Sequence, residues 1–272
     1  MPSGVRTMTL SSKYNRFGLI KAQAPKRRRL VFNTMGLTGT GKSDLMLRTA
    51  PRPLLVINLD RNVEPLEERY LKDGDLYFKH VRMPRRLNQE QDEKIWSEVR
   101  ELYEMAMQEE DGFRSVLIDT GDALYELLRR AKLGSLDFGE VPRALYSTVN
   151  SNMKWIYSLA KDKRVNLCVA HKMTAEFVET TGRSGKRTAV ESGRMKRAGW
   201  KEADYEAQMC VRLFKDPAIS GVDKYRCEIV KCTASPDLED PDNECHILTG
   251  ADITFQNLGM LACPWSERED WS

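Results

Sequence analysis

The chain has 272 residues, of which 41% are hydrophobic and 31% charged, with a formal net charge of +3. That composition suits one large α/β domain with a full core and a soluble surface, and no stretch reaches the ~20 apolar residues that a membrane helix needs. No apolar run follows the basic residues near the N-terminus, which excludes a secretory signal, and six cysteines without a C-x-x-C pair fit reduced thiols in a cytoplasm.

Taken in chain order, residues 1–28 read as a basic, flexible arm, since no Asp or Glu precedes Asp44. Such an arm is either a solvated tail or a polyanion contact. Leu30 to Met35 is a short apolar strand leading into a glycine-rich loop, and Ser43 to Ala50 is the helix after it, stopped by Pro51 and Pro53. Leu54–Asp60 is a second buried strand. Apolar residues at helical spacing from Ile95 to Ala106 predict a core-packing helix between Gln89 and Glu110, with Trp96 and Tyr103 in the core. Ser115–Asp119 is a third strand, followed by helices over Ala123–Lys132 and Val141–Ala160. Val165–Ala170 is a fourth strand ending at His171-Lys172, and a polar loop runs from Met173 to Gly199. Met209–Phe214 and Tyr225–Cys232 are two further strands. Alternating strands and helices predict an α/β fold, a mainly parallel central sheet with helices on both faces. The core spans residues 29–262, with a tail over 263–272.

The chemistry is densest at Gly36-Leu37-Thr38-Gly39-Thr40-Gly41-Lys42-Ser43. Glycines at these positions let successive backbone N–H groups turn inward around phosphate oxygens, and the following helix adds its positive end. In such a loop the lysine, Lys42, reaches the β- and γ-phosphates and the Ser43 hydroxyl binds Mg²⁺, so ATP and Mg²⁺ are the expected ligands. Asp119 ends an apolar strand, where a carboxylate supports Mg²⁺ through its water shell; otherwise it caps the next helix. Hydrolysis also needs a group to orient water, and Asp60, ending the second strand, is the candidate, with another carboxylate as the alternative. His171 ends the fourth strand and is expected to turn its ring toward the same sheet edge, either as a γ-phosphate sensor or as a structural histidine.

The order of these parts resembles the RecA family of P-loop ATPases, and more closely the small RecA-fold ATPases that bacteriophages encode beside recombination genes. The resemblance covers roughly Leu30 to Thr233 and rests on Val56–Pro65, Val116–Thr120, Cys168–Lys172 and Tyr225–Lys231. It implies that Asp60 activates water, where RecA itself carries the longer Glu. It implies that His171 senses the γ-phosphate, where RecA has Gln. It implies that Lys231 contacts ATP across a subunit interface in a ring or filament. It also implies that segments near Leu133–Arg143 and Met173–Gly199 hold single-stranded DNA. The second carries Arg183, Lys186, Arg187, Arg194, Lys196 and Arg197, with Phe177 or Trp200 to stack on a base. The function implied is an ATP-dependent single-stranded-DNA-binding protein promoting annealing or strand exchange. Its expected setting is a homo-oligomer in the cytoplasm, a host cytoplasm if phage-encoded, with a single-strand-binding protein as a further partner. Two readings share the loop: a phosphotransferase on a nucleotide or small metabolite, and a non-enzymatic ATP-binding regulator or assembly clamp.

Overall fold

The computed structural model describes residues 28–60, 63–70, 74–108, 112–134, 143–181, 187–243 and 246–271. The arm up to residue 27, most of the proposed first DNA segment, and Arg183 and Lys186 lie outside the described residues. So does the side chain of Arg187, and so does that of Phe177.

The strands are β1 (Val31–Gly36), β2 (Leu54–Asn58), β3 (Leu76–His80), β4 (Ser115–Asp119), β5 (Asn166–Thr181), β6 (Arg187–Arg197), β7 (Met209–Lys215), β8 (Tyr225–Cys232) and β9 (Ile247–Thr249). The helices are α1 (Lys42–Thr49), α2 (Glu64–Tyr70), α3 (Gln89–Ala106), α4 (Gly121–Leu133), α5 (Tyr146–Lys163), α6 (Ala203–Glu206) and α7 (Phe255–Ala262). The sheet order is β3-β2-β4-β5-β1-β7-β8-β9. Every pair from β3 to β7 is parallel, while β8 and β9 continue the sheet antiparallel. This is the α/β class read from the sequence, a mainly parallel sheet with the glycine-rich loop between β1 and α1.

Because strand side chains alternate with period 2, each apolar run feeds two cores. Val31, Leu55, Ile57, Val116, Ile118, Leu167 and Val169 pack with α3, α4 and α5. Phe32, Leu54, Val56, Leu117, Cys168 and Ala170 pack with α1 and α7 on the opposite face. Trp96 and Tyr103 are buried in the first core, and Tyr103 Oη donates to the Ile156 carbonyl at 2.7 Å. Asn88 caps α3, accepting from the Gln91 N–H at 3.1 Å. α5 begins after a single 3-10 turn at Arg143–Leu145, later than the sequence pattern implies.

Two features depart from the sequence reading, and the tail takes up a place that reading left open. The polar stretch after Met173 is not a loop: β5 runs on to Thr181 and pairs antiparallel with β6, forming a hairpin beyond the main sheet. The pairing of this ribbon is made by backbone groups, which leave no apolar signature in the sequence. Next, β3, β9, α6 and α7 appear where no element is expected. β3 is an edge strand of half-buried residues, and α7 is started by the Thr254 hydroxyl accepting from the Asn257 N–H. Last, the tail folds onto α7: Trp271 is buried against Phe255, with ring centroids 6.2 Å apart, and Asp270 pairs with Arg28 at 2.8 Å. No helix among the described residues is long and apolar enough to cross a membrane.

Candidate nucleotide site

The glycine-rich loop leaves β1 at the carboxyl edge of the sheet and opens α1. Gly36 must lack a side chain, because a Cβ there would lie 2.4 Å from the Leu213 carbonyl oxygen and 2.5 Å from Thr40 Oγ1. Gly39 and Gly41 have φ of 77° and 94°, left-handed values that turn the loop back over the start of α1. Lys42 Nζ donates to the carbonyls of Gly36 and Leu37, both at 2.9 Å, which curls its stem inside the loop. Burial lowers its pKa, while Asp119 and Asp60 act in the opposite sense.

Strand parity decides what else reaches the loop. Residues 117 and 168 face α1, so Asp119 and Lys172, each an even number of positions further on, face it too. Asp60 follows the face of Leu54 and Val56 in the same way. Ser43 Oγ, on the first turn of α1, donates to Asp119 Oδ2 at 2.6 Å. Asp119 is 2% exposed and its carboxyl is pushed up to about 6, by burial first. The Ser43 hydrogen bond lowers that value and the Asp60 charge raises it. Thr120, not Asp119, caps α4, accepting from the Ala123 N–H at 3.4 Å, so the carboxylate keeps its direction into the pocket. Lys172 Nζ lies 3.1 Å from Asp60 Oδ2 and 3.9 Å from Asp122 Oδ2.

These groups line a cavity of about 530 Å³. Its polar lining includes the loop, Ser43, Asp60, Asp119 and Lys172. Leu66, Arg69, Val222, Tyr225, Ile253 and Arg48 complete the wall. Asp44 holds Arg69 at 3.4 Å and Arg48 at 3.7 Å, and it also accepts from Tyr70 Oη, which fixes this wall. Hard oxygen donors from a hydroxyl and a carboxylate, side by side at the loop, fit Mg²⁺. Asp119 stays raised to about 6 even with the Lys42 and Lys172 charges lowering it, and a divalent cation beside Ser43 would favour its ionised form further.

His171 corrects the sequence expectation. Being one residue from Lys172, it faces the other side of the sheet, fully buried against Gly121 and Val169. A Cβ on Gly121 would lie 2.5 Å from its Cε1, so the glycine is there to admit the ring. Burial first, then the Arg197 charge, holds its pKa well below 6.5, against a smaller opposing contribution from the Ala198 backbone. His171 does not line the cavity. Lys231, expected to contact the ATP of a neighbouring copy, lies away from this chain's own cavity. β8 runs antiparallel to β7, so its end lies at the sheet edge opposite the loop, and Nζ donates to the carbonyls of Asp204 and Ala207.

Of the cations assigned to DNA, Arg194 and Lys196 are exposed on β6. Arg197 is not available in the same way: Nε bonds Asp204 Oδ1 at 2.9 Å and its side chain is 7% exposed. Trp200 is buried against Tyr157, with ring centroids 6.0 Å apart, and offers no stacking platform. The site residues absent from the sequence reading are Lys172 as a pocket group, and Arg48, Leu66, Arg69, Val222, Tyr225 and Ile253 in the wall. Parity with Cys168 and Ala170 was the signal for Lys172; the wall is assembled from distant segments and had none.

No family model matches this chain, and no curated protein matches it. Among solved structures it is similar to a prototypical ATPase from the type III secretion system of pathogenic bacteria, at 14% identity and a TM-score of 0.37. The likeness covers 70% of this chain and 52% of that one, so the chain spans about half the length of its structural neighbour. That likeness assigns neither activity nor partner to this chain.

Proposed function

We propose that this protein hydrolyses ATP with Mg²⁺ and uses the nucleotide to control its grip on single-stranded DNA, promoting annealing or strand exchange. The observation that carries the reading is the convergence, at one sheet edge, of the glycine-rich loop with Lys42, the Ser43–Asp119 pair at 2.6 Å and Asp60. Ser43 and Asp119 would hold the metal, which when bound neutralises charge on the phosphate oxygens. Lys42 leaves its loop carbonyls for the phosphates, and Asp60 orients the attacking water. The wall of Leu66, Val222, Tyr225 and Ile253 receives the base.

The DNA reading is supported by the hairpin. It grows directly out of β5, whose Lys172 lies in the pocket, and it displays Arg194 and Lys196 to solvent. Exposed cations on a ribbon suit a phosphate backbone, which they track without reading sequence. Partner copies in a ring or filament, and a single-strand-binding protein, belong to the same proposal.

The test is fluorescence anisotropy of a labelled oligothymidine titrated with the protein, in ADP or in a non-hydrolysable ATP analogue, each with Mg²⁺. Tighter binding in the triphosphate state, weakening steeply with salt, supports the reading. Equal and weak binding in both states would remove DNA from it and bring the phosphotransferase or regulator readings forward.

A further inference from the structure

A further basic surface lies outside both segments from which DNA contact was expected. β3 ends at His80, and residues 81–88 lead from it to α3. They leave the sheet at its carboxyl edge: the Val81 N–H donates to the Asn58 carbonyl at 2.8 Å, and the chain beyond Asn58 reaches Asp60 in the cavity wall. Arg82, Arg85 and Arg86 are exposed on this loop, and among the described residues none of their guanidinium groups is in an ion pair or hydrogen bond. The main chain beneath them is clamped. Arg130 Nη2 donates to the Pro84 carbonyl at 2.9 Å and to the Arg86 carbonyl at 3.1 Å, while its Nε bonds Asp92 Oδ2 at 2.9 Å. The side chains of that ion pair are 6% and 0% exposed. Burying two charges is costly, and here the buried guanidinium holds two carbonyls of a surface loop. The backbone is thus ordered on folding, and a ligand has only the three arginine side chains left to order. Of the acidic residues that open α3, Asp92 is taken by Arg130 and Glu93 by Lys132, while Glu90 stays exposed.

We infer that Arg82, Arg85 and Arg86 form a contact for the phosphate backbone of single-stranded nucleic acid. The inference rests on the DNA reading and extends it to a loop that neither expected segment includes. Guanidinium groups match phosphate oxygens bidentately, and three unpaired ones within five residues suit a repeating anion better than an isolated carboxylate. The loop also borders the rest of the proposed track. At its end Gln89 Nε2 donates to the Ala131 carbonyl at 3.2 Å, two residues before the first expected segment begins at Leu133. In the order β3-β2-β4-β5, three strand spacings, about 14 Å, separate the loop from the strand that carries the hairpin. One oligonucleotide can therefore engage the loop and the hairpin along a single sheet edge.

The experiment is anisotropy of a labelled oligothymidine over a series of salt concentrations. It compares wild type, the triple variant Arg82→Ser, Arg85→Ser, Arg86→Ser, and the triple variant with Lys at the same three positions. A control carries Lys154→Ser, Lys161→Ser and Lys163→Ser on α5, which removes the same charge elsewhere. The serine triple is expected to bind about tenfold or more weakly at low salt, with the salt slope lowered by about 2. Its urea midpoint and its affinity for a fluorescent ATP analogue stay at wild-type values, because the three side chains touch neither core nor cavity. The lysine triple keeps the wild-type slope, and the α5 control stays within about twofold of wild type. If wild type binds and the serine triple binds equally, the loop contact is wrong while the DNA reading stands. If the serine triple and the α5 control weaken alike, net charge is the cause and the loop contact is again wrong. If wild type binds no oligothymidine, the DNA reading falls and takes this inference with it.

Discussion

Replacing Asp119 by Asn removes a charge that the fold holds at a cost. Asp119 is 2% exposed at the end of β4 and its carboxyl titrates at about 6 instead of 3.8, chiefly because burial disfavours the ionised form. At 1.36 kcal/mol per pH unit, ionising it inside the folded protein costs about 3 kcal/mol more than in the unfolded chain. The sign follows from the raised value. The folded state binds the proton more tightly, so this contribution to stability is fully present below pH 3.8 and is lost as pH rises through about 6. Asn is neutral, similar in shape, and still accepts from Ser43. Without nucleotide or metal at pH 8, Asp119→Asn is therefore more stable than wild type by up to about 3 kcal/mol, roughly 5 °C in midpoint for a chain of this size. Near pH 4.5 the gain shrinks to about 1 kcal/mol, because most of the native carboxyl is already protonated. Urea denaturation in EDTA at the two pH values reads the difference directly. The same variant loses Mg²⁺-dependent hydrolysis, so stability and activity move apart. A variant less stable than wild type at pH 8, or a gain indifferent to pH, would refute this account of Asp119.

His171 gives the opposite slope. Its pKa is held well below 6.5, so the unfolded chain takes up the proton first, and wild type loses stability as pH falls below 6.5. His171→Leu removes that acid limb, measured as a flatter unfolding midpoint between pH 7 and 5, and leaves the preference for ATP over ADP in place. Trp271→Ala opens a cavity beneath α7, where the ring packs on Phe255 and its Nε1–H bonds Ser266 Oγ, and costs about 3–5 kcal/mol in chemical denaturation. The double variant Arg194→Ser, Lys196→Ser weakens oligothymidine binding and lowers the salt slope by about 2, one per lost phosphate contact, with ATP affinity unchanged.

The legible parts of this chain are those whose signal is local. The phosphate loop needs its glycines, lysine and hydroxyl in consecutive positions, and the buried strands advertise themselves as apolar runs. Parity along those runs also carries more than the existence of a strand. Cys168 and Ala170 face α1, which commits Lys172 to the pocket and His171 to the other core. Reading the histidine as the pocket residue overlooked that alternation. The hairpin was illegible for the converse reason: its pairing is made by backbone groups, which any polar sequence supplies. β3, β9 and α7 are short and take their burial from partners far along the chain, and Tyr225 and Ile253 meet in the pocket wall from segments distant in sequence from the loop. The carbonyls that claim Lys231, and the carboxylate that claims Arg197, likewise come from tertiary placement that composition does not encode.

The measurement that bears most directly on the central claim is phosphate release from ATP with Mg²⁺, with and without single-stranded DNA, using Lys42→Ala as the blank. The account predicts turnover by wild type that rises with DNA, falls back as salt screens the phosphate contacts, and is absent in the blank. Turnover that ignores DNA, or that survives loss of the Lys42 ammonium, would contradict it.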